Sequence, residues 1–461
     1  MEAATPQSSA CPGCVEAAER IAALEARIAD LEALAEQLRR GGKRQAAPFS
    51  KGEPKANPKR PGRKSGENHG THHRRALPPR IDQVIEAPLP DQCPHCHGEV
   101  VETAIQQQYQ TEIPREVIYR QINVHVGKCC GCNRRVQGRH ALQTSDALGA
   151  AASQIGPDAQ ALVVQLNKDA GLSHGKIRRF FEAAFDLKLS RGGSCRTMLR
   201  AARRCEPVYQ QIVQSVRQSP LIVPDETGWR VGGKLAWLHV AVGATATAYL
   251  IDRHRGYDAS VKLIGEDYDG SMTHDAWSPY LKFNYATHQT CLAHLLRRGR
   301  ELEEMAVGGA VHFPRRVKAI FQEALAVRDQ RDAGEITSGQ AAEAAEEFTR
   351  RMTALVCPPK TNPGNERFAN HLHRQQQNLF VFLQIDGIDA TNHKAEQAIR
   401  PATVNRKVWG GNRTDAGAKA QSILMSVLRT TTQHGVDAVA FLSNTLKSCF
   451  GHQPQLIINT S

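Results

Sequence analysis

The chain has 461 residues, with 59 Lys and Arg against 46 Asp and Glu, which gives a formal net charge of +13 at pH 7. Its hydrophobic fraction of 41% excludes a wholly disordered chain, and the lack of an apolar run of about 18 residues argues against a membrane-spanning helix. The length predicts about three domains. The basic excess predicts a polyanionic partner, either nucleic acid or an anionic membrane surface.

The first forty residues predict an amphipathic helix. Apolar residues recur three and four positions apart within residues 14–40, with Glu and Arg between them. Such a helix either packs on its own protein or associates with a second copy, and fewer than four heptads is short for a self-sufficient coiled coil. The residues of this seam are Ile21, Leu24, Ile28, Leu31, Ala35 and Leu38.

Residues 41–75 are rich in proline, glycine and basic side chains. They contain ten Lys and Arg against Glu53 and Glu67, a net charge of +8. The scattered prolines prevent regular structure, so this segment is a linker. It is either simply solvated or an arm that follows DNA phosphates. The residues proposed for phosphate contact are Lys59, Arg60, Arg63 and Lys64.

Two paired cysteine motifs predict a structural zinc site. Because the first residues lack the basic and apolar segments of a secretion signal, we expect reduced thiols. Cys93 and Cys96 are followed, after 32 residues, by Cys129 and Cys132. Each pair supplies two thiolates, and two pairs complete a tetrahedral Cys₄ site. The alternative is four independent thiols, and Cys130 is interpreted as a bystander.

Residues 156–217 have a helical pattern. Gly171 and Ser173 indicate a break and an N-cap before an apolar-periodic segment. The arrangement resembles a helix-turn-helix unit, although any small helical pair gives a similar pattern. Arg178 and Arg179 are the candidates for DNA contact on this segment.

Short β-rich runs follow and carry two aspartates. LIVPDETGW, KLAWLHVAVGA and TATAYLIDRH predict three strands, and GSMTHDAW predicts a further one. Asp225 lies in the first strand and Asp275 at the end of the last. Carboxylates at the ends of adjacent strands can bridge divalent cations, and Mg²⁺ suits a few carboxylates plus substrate phosphates. Glu226 is expected to point to the opposite face of the strand.

A third carboxylate, Glu396, occurs late in the chain. Asn392 and Arg400 lie four residues on either side of it, which predicts one shared helical face. Pro401 is expected to end or bend that helix. A carboxylate among many cations fits a metal ligand beside a DNA backbone, and the alternative is a surface pair between Glu396 and Arg400.

The segment CLAHLLRR offers further candidates. His294 and Arg297 are three apart on a predicted helix and are expected to contact DNA or the scissile phosphate. His288, Cys291 and His294 alternatively form a second metal site. That alternative is disfavoured, because their spacing would strain a tight tetrahedral cluster. A packed core cysteine and one functional histidine are the preferred interpretation.

Taken together, these blocks resemble the insertion-sequence-66 family of DDE transposases. The resemblance covers nearly the whole chain, including the basic arm and the C-terminal helices, and it depends on the order and spacing of short motifs. The motifs that carry it are PDETGWRV, HDAWSPY, CLAHLLRR, NHKAEQAIRPATVNRK and CPHC followed by CCGC.

The resemblance implies a multidomain α+β protein with an RNase H-like catalytic core. It maps the DDE triad onto Asp225, Asp275 and Glu396, which would hold Mg²⁺ or Mn²⁺, and it places a helical insertion at about 300–385. The predicted domains are an oligomerisation helix (1–40), a basic arm (41–80), a zinc domain (81–140), a helical DNA-binding region (150–217), the catalytic domain (218–415) and C-terminal helices (416–461).

The function implied is metal-dependent cleavage at the ends of an insertion sequence and transfer of the freed 3′-OH into target DNA. Arg400, Arg406 and Lys407 are the candidates for steadying phosphate charge. The implied partners are DNA, a second or further copies of the chain and element-encoded accessory proteins, in a bacterial cytoplasmic, nucleoid-associated setting without a membrane. The alternatives are an RNase H-like nuclease that does not join DNA, and a non-enzymatic, zinc-containing DNA-binding regulator.

Overall fold

The computed structural model describes residues 20–21, 23–25, 27–28, 30–31, 77–92, 94–101, 103–111, 113, 116–138, 140–144 and 154–447. The chain divides into two compact units, Met1–Ile113 and Pro114–Ser461. Among the described residues, no helix is long and apolar enough to cross a membrane. Several residues proposed from the sequence lie outside the described residues, namely Ala35, Leu38, Lys59, Arg60, Arg63, Lys64 and Cys93.

In the first unit, the described residues between 20 and 31 are helical. Four members of the predicted seam are more than half exposed there, as expected of an apolar helical stripe that no other described residue of this unit covers. These residues are Ile21, Leu24, Ile28 and Leu31. The described residues from 77 to 113 contain no helix or strand.

The second unit begins with an antiparallel hairpin and three helices. Strands β1 (Val126–Lys128) and β2 (Arg135–Gln137) enclose the second cysteine pair. The helices are α1 (Pro157–Lys168), α2 (His174–Phe185) and α3 (Arg191–Arg217). The predicted cap is confirmed, because the Ser173 hydroxyl accepts the Lys176 N–H at the start of α2.

A five-stranded mixed sheet follows, in the order β5-β4-β3-β6-β7. Strand β3 pairs antiparallel with β4 and parallel with β6, β4 pairs antiparallel with β5, and β6 pairs parallel with β7. The predicted strands and the mixed α+β class are therefore confirmed. The elements are β3 (Leu221–Val231), β4 (Lys234–Val242), β5 (Thr247–Asp252), α4 (Tyr257–Ile264), β6 (Ser271–His274) and β7 (Thr287–Thr290).

Helices make up the rest of the described chain. They are α5 (Leu292–Met305), α6 (His312–Asp332), α7 (Ser338–Val356), α8 (Pro363–Arg374), α9 (Val381–Gln384), α10 (His393–Trp409), α11 (Asp415–Gln433) and α12 (Ala438–Lys447). Short 3₁₀ turns lie at Tyr280–Lys282, Gly308–Val311 and Gln376–Asn378.

Both faces of the sheet are covered by helices, and the antiparallel strands β3, β4 and β5 carry apolar residues on both faces. On one face Ile222 and Met272 share a core with Ile177 of α2 and Ile212 of α3. The helices 157–217 therefore pack into the same core as the sheet. On the other face, alternate β3 and β4 residues pack against the small side chains of α10. This second core includes Val223, Leu238, Val240, Ala395, Ala398 and Ala402.

The predicted helical insertion has a core of its own. Helices α5 to α9 bury six phenylalanines among aliphatic side chains between β7 and α10. This segment therefore carries its own hydrophobic stabilisation rather than lying as a loop over the sheet. The phenylalanines are Phe313, Phe321, Phe348, Phe368, Phe380 and Phe382.

The structure corrects two points about α10. Of the two outcomes expected at Pro401, an end of the helix is wrong, because α10 continues to Trp409. Proline removes one N–H bond inside a helix, yet burial of Ala398 and Ala402 on the sheet holds both sides of it, and the Tyr249 hydroxyl donates to the Ala398 carbonyl at 2.7 Å. Asn392 is the N-cap residue and is buried, so it does not share the exposed face of Glu396.

Lys168, the last residue of α1, is buried where α1, α10 and α11 meet. Its ammonium donates to the Gln421 side chain and lies 5.4 Å from the centre of the Trp409 ring. Its carbonyl accepts from the Asn405 side chain. Burial lowers the pKa of Lys168 to about 7. The unfolded chain, with the ordinary lysine pKa, therefore binds more protons than the folded one above pH 7.

We expect this lysine to make the protein more stable as the pH rises from 7 to 9. Because the folded-state pKa is depressed, stability increases until the lysine also deprotonates in the unfolded chain. Lys168→Met should lose this increase, measured as the difference in the free energy of unfolding between variant and wild type at each pH. Lys176→Met, on the exposed face of α2, is the control. If the free energy of unfolding of Lys168→Met rises with pH as much as that of the wild type, the expectation is wrong.

Candidate active site: three carboxylates between the sheet and helix α10

Asp225 and Asp275 lie on neighbouring strands of the sheet. In the parallel pair of β3 and β6, Leu221 aligns with Ser271 and Ile222 with Met272. Continuing this register places Asp225 level with Asp275, which follows directly after β6. Since side chains alternate along a strand, Asp225 shares a face with Val223, which packs toward α10.

Glu396 lies in the first turn of α10, above this face of the sheet. Its side chain is 47% exposed, and its Oε1 is 3.8 Å from the Nε2 of His294 on α5. Backbone bonds join the starts of these two helices, because the Leu292 N–H donates to the Ala390 carbonyl and the Asn392 N–H donates to the Cys291 sulfur. The predicted helical position of His294 is confirmed.

The charges of the three acids act on one another. The pKa of Asp225 is raised to about 7, mainly by burial and in addition by the carboxylates of Glu226, Asp275 and Glu396. The Glu226 N–H opposes them by donating to Asp225 Oδ1 at 2.8 Å. The sequence-predicted triad is thus brought within electrostatic reach, in a place where carboxylate charge is costly.

The chemistry of these residues fits a divalent cation, although the described residues contain no group of three His, Cys, Asp or Glu side chains arranged closely enough to hold one ion. Mg²⁺ prefers hard oxygen ligands such as carboxylates. Its positive charge would also relieve the repulsion among the three acids. Beside Glu396, both side-chain polar atoms of the buried Asn392 lack a hydrogen-bond partner among the described residues. A buried amide left unpaired is costly, so a bound group at this end of α10 would relieve it.

Glu226 occupies the other face of β3, as predicted. Its side chain is 2% exposed and accepts from the Tyr280 hydroxyl at 2.6 Å and from two N–H groups of Arg255 at 2.8 and 3.0 Å. The Arg255 guanidinium lies between two indole rings, 4.7 Å from Trp237 and 4.5 Å from Trp277. The sequence analysis missed this cluster, because its members are separated along the chain and form no motif.

Trp277 connects this cluster to Asp275. The backbone N–H of Trp277 donates to Asp275 Oδ1 at 2.9 Å. The intervening Ala276 has a left-handed φ of 67°. The Ala276 N–H donates to His274 Nδ1, so the turn that carries Asp275 is held by side chains on both sides.

The buried His274 and the half-buried His288 form a neutral chain beneath this turn. Because His274 Nδ1 accepts from Ala276, its Nε2 donates to His288 Nδ1 at 3.1 Å, and His288 Nε2 donates to the Phe283 carbonyl. Burial lowers the pKa of His274 to about 3. His288 is thus engaged in this chain, whereas Cys291 contacts His294 at 3.3 Å. The alternative metal site of His288, Cys291 and His294 is not found among the described residues.

The candidate DNA-contacting residues differ in their surroundings. Arg178 forms an exposed ion pair with Glu182 at 3.0 Å. Arg406 donates to the Gly228 carbonyl and to Thr227, so it ties α10 to β3. The other described candidates are exposed, namely Arg179, Arg297, Arg400 and Lys407.

The second cysteine pair lies at the turn of the β1–β2 hairpin. Hydrogen bonds from the N–H groups of Cys132 and Gly131 lower the pKa of the Cys129 thiol, which favours a thiolate ligand. Cys129 and Cys132 are exposed members of the second unit. Cys96 is an exposed thiol of the first unit, and Cys93 lies outside the described residues.

The family model described as "Transposase IS66 family" matches residues 152–420 of the chain. This range includes the three acids, the five-stranded sheet and the helical insertion. No curated protein matches the chain.

We expect Arg255→Met to lower the free energy of unfolding by about 2 kcal/mol, because it leaves the buried Glu226 carboxylate without its cation; partial exposure of Arg255 limits the effect. The double variant Glu226→Gln/Arg255→Met should recover part of the loss. Urea unfolding followed by tryptophan fluorescence measures both.

Arg178→Met is the matched control, since it breaks an exposed arginine–carboxylate pair and should cost less than about 0.5 kcal/mol. Equal losses for Arg255→Met and Arg178→Met would show that Arg255 does not compensate a buried charge.

Proposed function

The chain belongs to the IS66 transposase family, and from this we propose that it cuts DNA at the ends of its insertion sequence and joins the freed 3′-OH to target DNA. The observation that carries the proposal is the placement of Asp225 level with Asp275 on neighbouring strands, with Glu396 in the first turn of the helix that packs on the same face. Family membership makes DNA the partner, and the three acids supply a reason for metal-dependent phosphoryl transfer.

The catalytic core is proposed to be RNase H-like. In its support, three antiparallel strands come first along the chain and form one side of the sheet, and two parallel strands extend it from β3. The first strand is thus central, and it carries Asp225 next to the strand that ends before Asp275. Glu396 approaches from a helix that follows the insertion.

Asp225, Asp275 and Glu396 would hold divalent cations, which, when bound, neutralise charge on the attacking and leaving oxygens of a phosphodiester. Strand β3 holds the Asp225 side chain on the face of the sheet that packs against α10. Asp275 is oriented by the N–H of Trp277. His294, 3.8 Å from Glu396, is positioned to hold that carboxylate or to donate to a phosphate oxygen.

Exposed cations surround these acids. Arg400 lies one helical turn after Glu396, and Lys407 lies two turns further along α10. We assign phosphate contact to these two residues and to Arg297. Arg406 has a structural role as well, because its guanidinium is bonded to the β3 backbone.

Joining should depend on each of the three acids. Asp225→Asn, Asp275→Asn and Glu396→Gln are each expected to lower strand transfer by at least about 10³-fold, because each removes a charge that holds the cation. The assay uses precut ends carrying a 3′-OH, target plasmid and Mg²⁺, and DNA binding is measured in parallel. At pH 8 the free energy of unfolding of Asp225→Asn should be no lower than that of the wild type. A carboxyl whose pKa is raised in the folded state destabilises the protein once it ionises, and the amide removes that cost.

Asp269→Asn, an exposed acid shortly before Asp275, is the control and should join at the wild-type rate. If the protein cleaves DNA but forms no joined product from the precut ends, the nuclease alternative is favoured. Intact biological activity of Asp225→Asn and Glu396→Gln would favour a non-enzymatic regulator.

We further propose that Cys93, Cys96, Cys129 and Cys132 bind one structural zinc. The hairpin turn supports this through the N–H groups that lower the pKa of Cys129 and through the ligand spacing of each pair. Such a site would fix the region that follows the basic arm.

Metal analysis of the purified protein should find about one zinc per chain, and Cys129→Ser or Cys132→Ser should remove most of it. Cys130→Ser is the matched control, because it changes a neighbouring exposed thiol that is not assigned as a ligand. Zinc-free wild-type protein, purified without chelator, would contradict the site.

Assembly of two or more copies is also proposed, since two element ends must be joined together. The exposed apolar residues Ile21, Leu24, Ile28 and Leu31 support a helix-mediated contact. A requirement for element-encoded accessory proteins is also proposed, and it is supported by the family resemblance alone.

A further inference from the structure

Two helices of the insertion display basic residues at helical spacing. On α5, His294 and Arg298 are four residues apart, which places them on one face. On α8, Arg367, His371 and Arg374 follow one another at four and three residues and likewise share a face. Neither α8 nor Arg298 was singled out by the sequence analysis, because three well-separated cations within a helix are unremarkable on their own.

The two basic faces meet in space. The Arg298 guanidinium lies 5.3 Å from the centre of the Phe368 ring on α8. Burial lowers the pKa of Arg298, and so do the positive charges of Arg367 and Arg374. The pKa of His371 is lowered by burial and then by Arg298 and Arg374. Four cationic or potentially cationic side chains from α5 and α8 therefore act on one another as like charges.

These cations are poorly compensated within the protein. None of the ion pairs formed among the described residues involves Arg298, Arg367 or Arg374, whereas other insertion residues, such as Arg315 and Arg351, are paired with glutamates. Glu301 is the acid whose charge acts on Arg298. Arg367 and Arg374 are exposed, so an anionic ligand can reach them.

The basic face borders the carboxylates. His294, one turn before Arg298, is 3.8 Å from Glu396, and the charge of Asp275 acts on His371. An anion held by Arg298, Arg367 and Arg374 would therefore lie next to the site of phosphoryl transfer. From Arg367 to Arg374 the α8 axis rises about 10 Å, a length that covers about three phosphates along one strand of DNA.

We propose that Arg298, Arg367 and Arg374, together with His371, bind consecutive phosphates of the DNA strand that leads into the active site. The inference rests on the proposed function and assigns to the insertion a role in holding DNA. A phosphodiester backbone is favoured over a single phosphate group because the cations extend over two helices. Rigid helices with their own core are well suited to position it.

The salt dependence of DNA binding tests this proposal. The probe is a short fluorescein-labelled duplex of arbitrary sequence, bound without Mg²⁺ or Mn²⁺ so that nothing is cut. Each of Arg298→Gln, Arg367→Gln and Arg374→Gln should reduce the slope of log K against log salt by about 0.9, and each should weaken binding roughly fivefold to tenfold near 0.1 M salt. The triple variant should reduce the slope by about 2 to 3.

Arg350→Gln is the matched control, because it makes the same charge change on the exposed surface of α7 and should leave the slope unchanged. Arg298→Lys retains the charge and should keep most of the slope, which separates phosphate binding from loss of the contact with Phe368. Thermal unfolding checks that each variant is folded, and the exposed Arg367 and Arg374 keep the test valid if Arg298→Gln is unstable.

A triple variant with the slope of Arg350→Gln would overturn the phosphate site. If the wild type then still joins precut ends, the proposed function stands without it. If instead the slopes fall as expected but no joined product forms, the phosphate site stands and strand transfer fails. Wild-type protein that does not bind the duplex at all would overturn both.

Discussion

Repulsion among carboxylates that are partly removed from water is the constraint on which the rest of the site depends. Asp225 is half-buried, and Asp275 and Glu396 add negative charge beside it. In the absence of a cation this arrangement costs free energy, because desolvation and like charge both disfavour the ionised form. It persists because the surrounding cores hold the acids in place: Val223 fixes β3, and Ala395 and Ala398 fix α10. The arrangement thus lowers the free energy of unfolding of the cation-free protein, and a bound cation would raise it again.

Strand β3 divides charge between its two faces. Toward α10, Asp225 has acids as neighbours and its charge is not cancelled. Toward the other face, Glu226 is neutralised by Arg255 and hydrogen-bonded by Tyr280. Two adjacent carboxylates therefore have different roles, set by alternation along one strand. The Glu226 cluster also reaches the acids indirectly, because Trp277 packs on Arg255 and donates to Asp275.

Much of this was predictable from local pattern. Short β-rich runs predicted the strands, and the spacing around Glu396 predicted its helix, since both depend on neighbours along the chain. Whether Pro401 ends or bends α10 was left open by the sequence, because continuation depends on burial of Ala398 and Ala402 on the sheet, which outweighs the local cost of proline. The burial of Asn392 and the meeting of Arg298 with Arg374 were also hidden. They depend on how α5, α8 and α10 are placed in three dimensions, which residue spacing does not encode.

The insertion and the acids are mechanically joined. The bonds from Leu292 to Ala390 and from Asn392 to Cys291 connect the first residue of α5 to the segment just before Glu396. His294 and Arg298 follow Leu292 on the same helix, so these bonds tie both side chains to the start of α10. The insertion that carries them is packed around its own phenylalanine core. A DNA strand held by the α5 and α8 cations would thereby be held in register with Glu396, and the positive charge gathered on the insertion would offset the negative charge gathered between the sheet and α10.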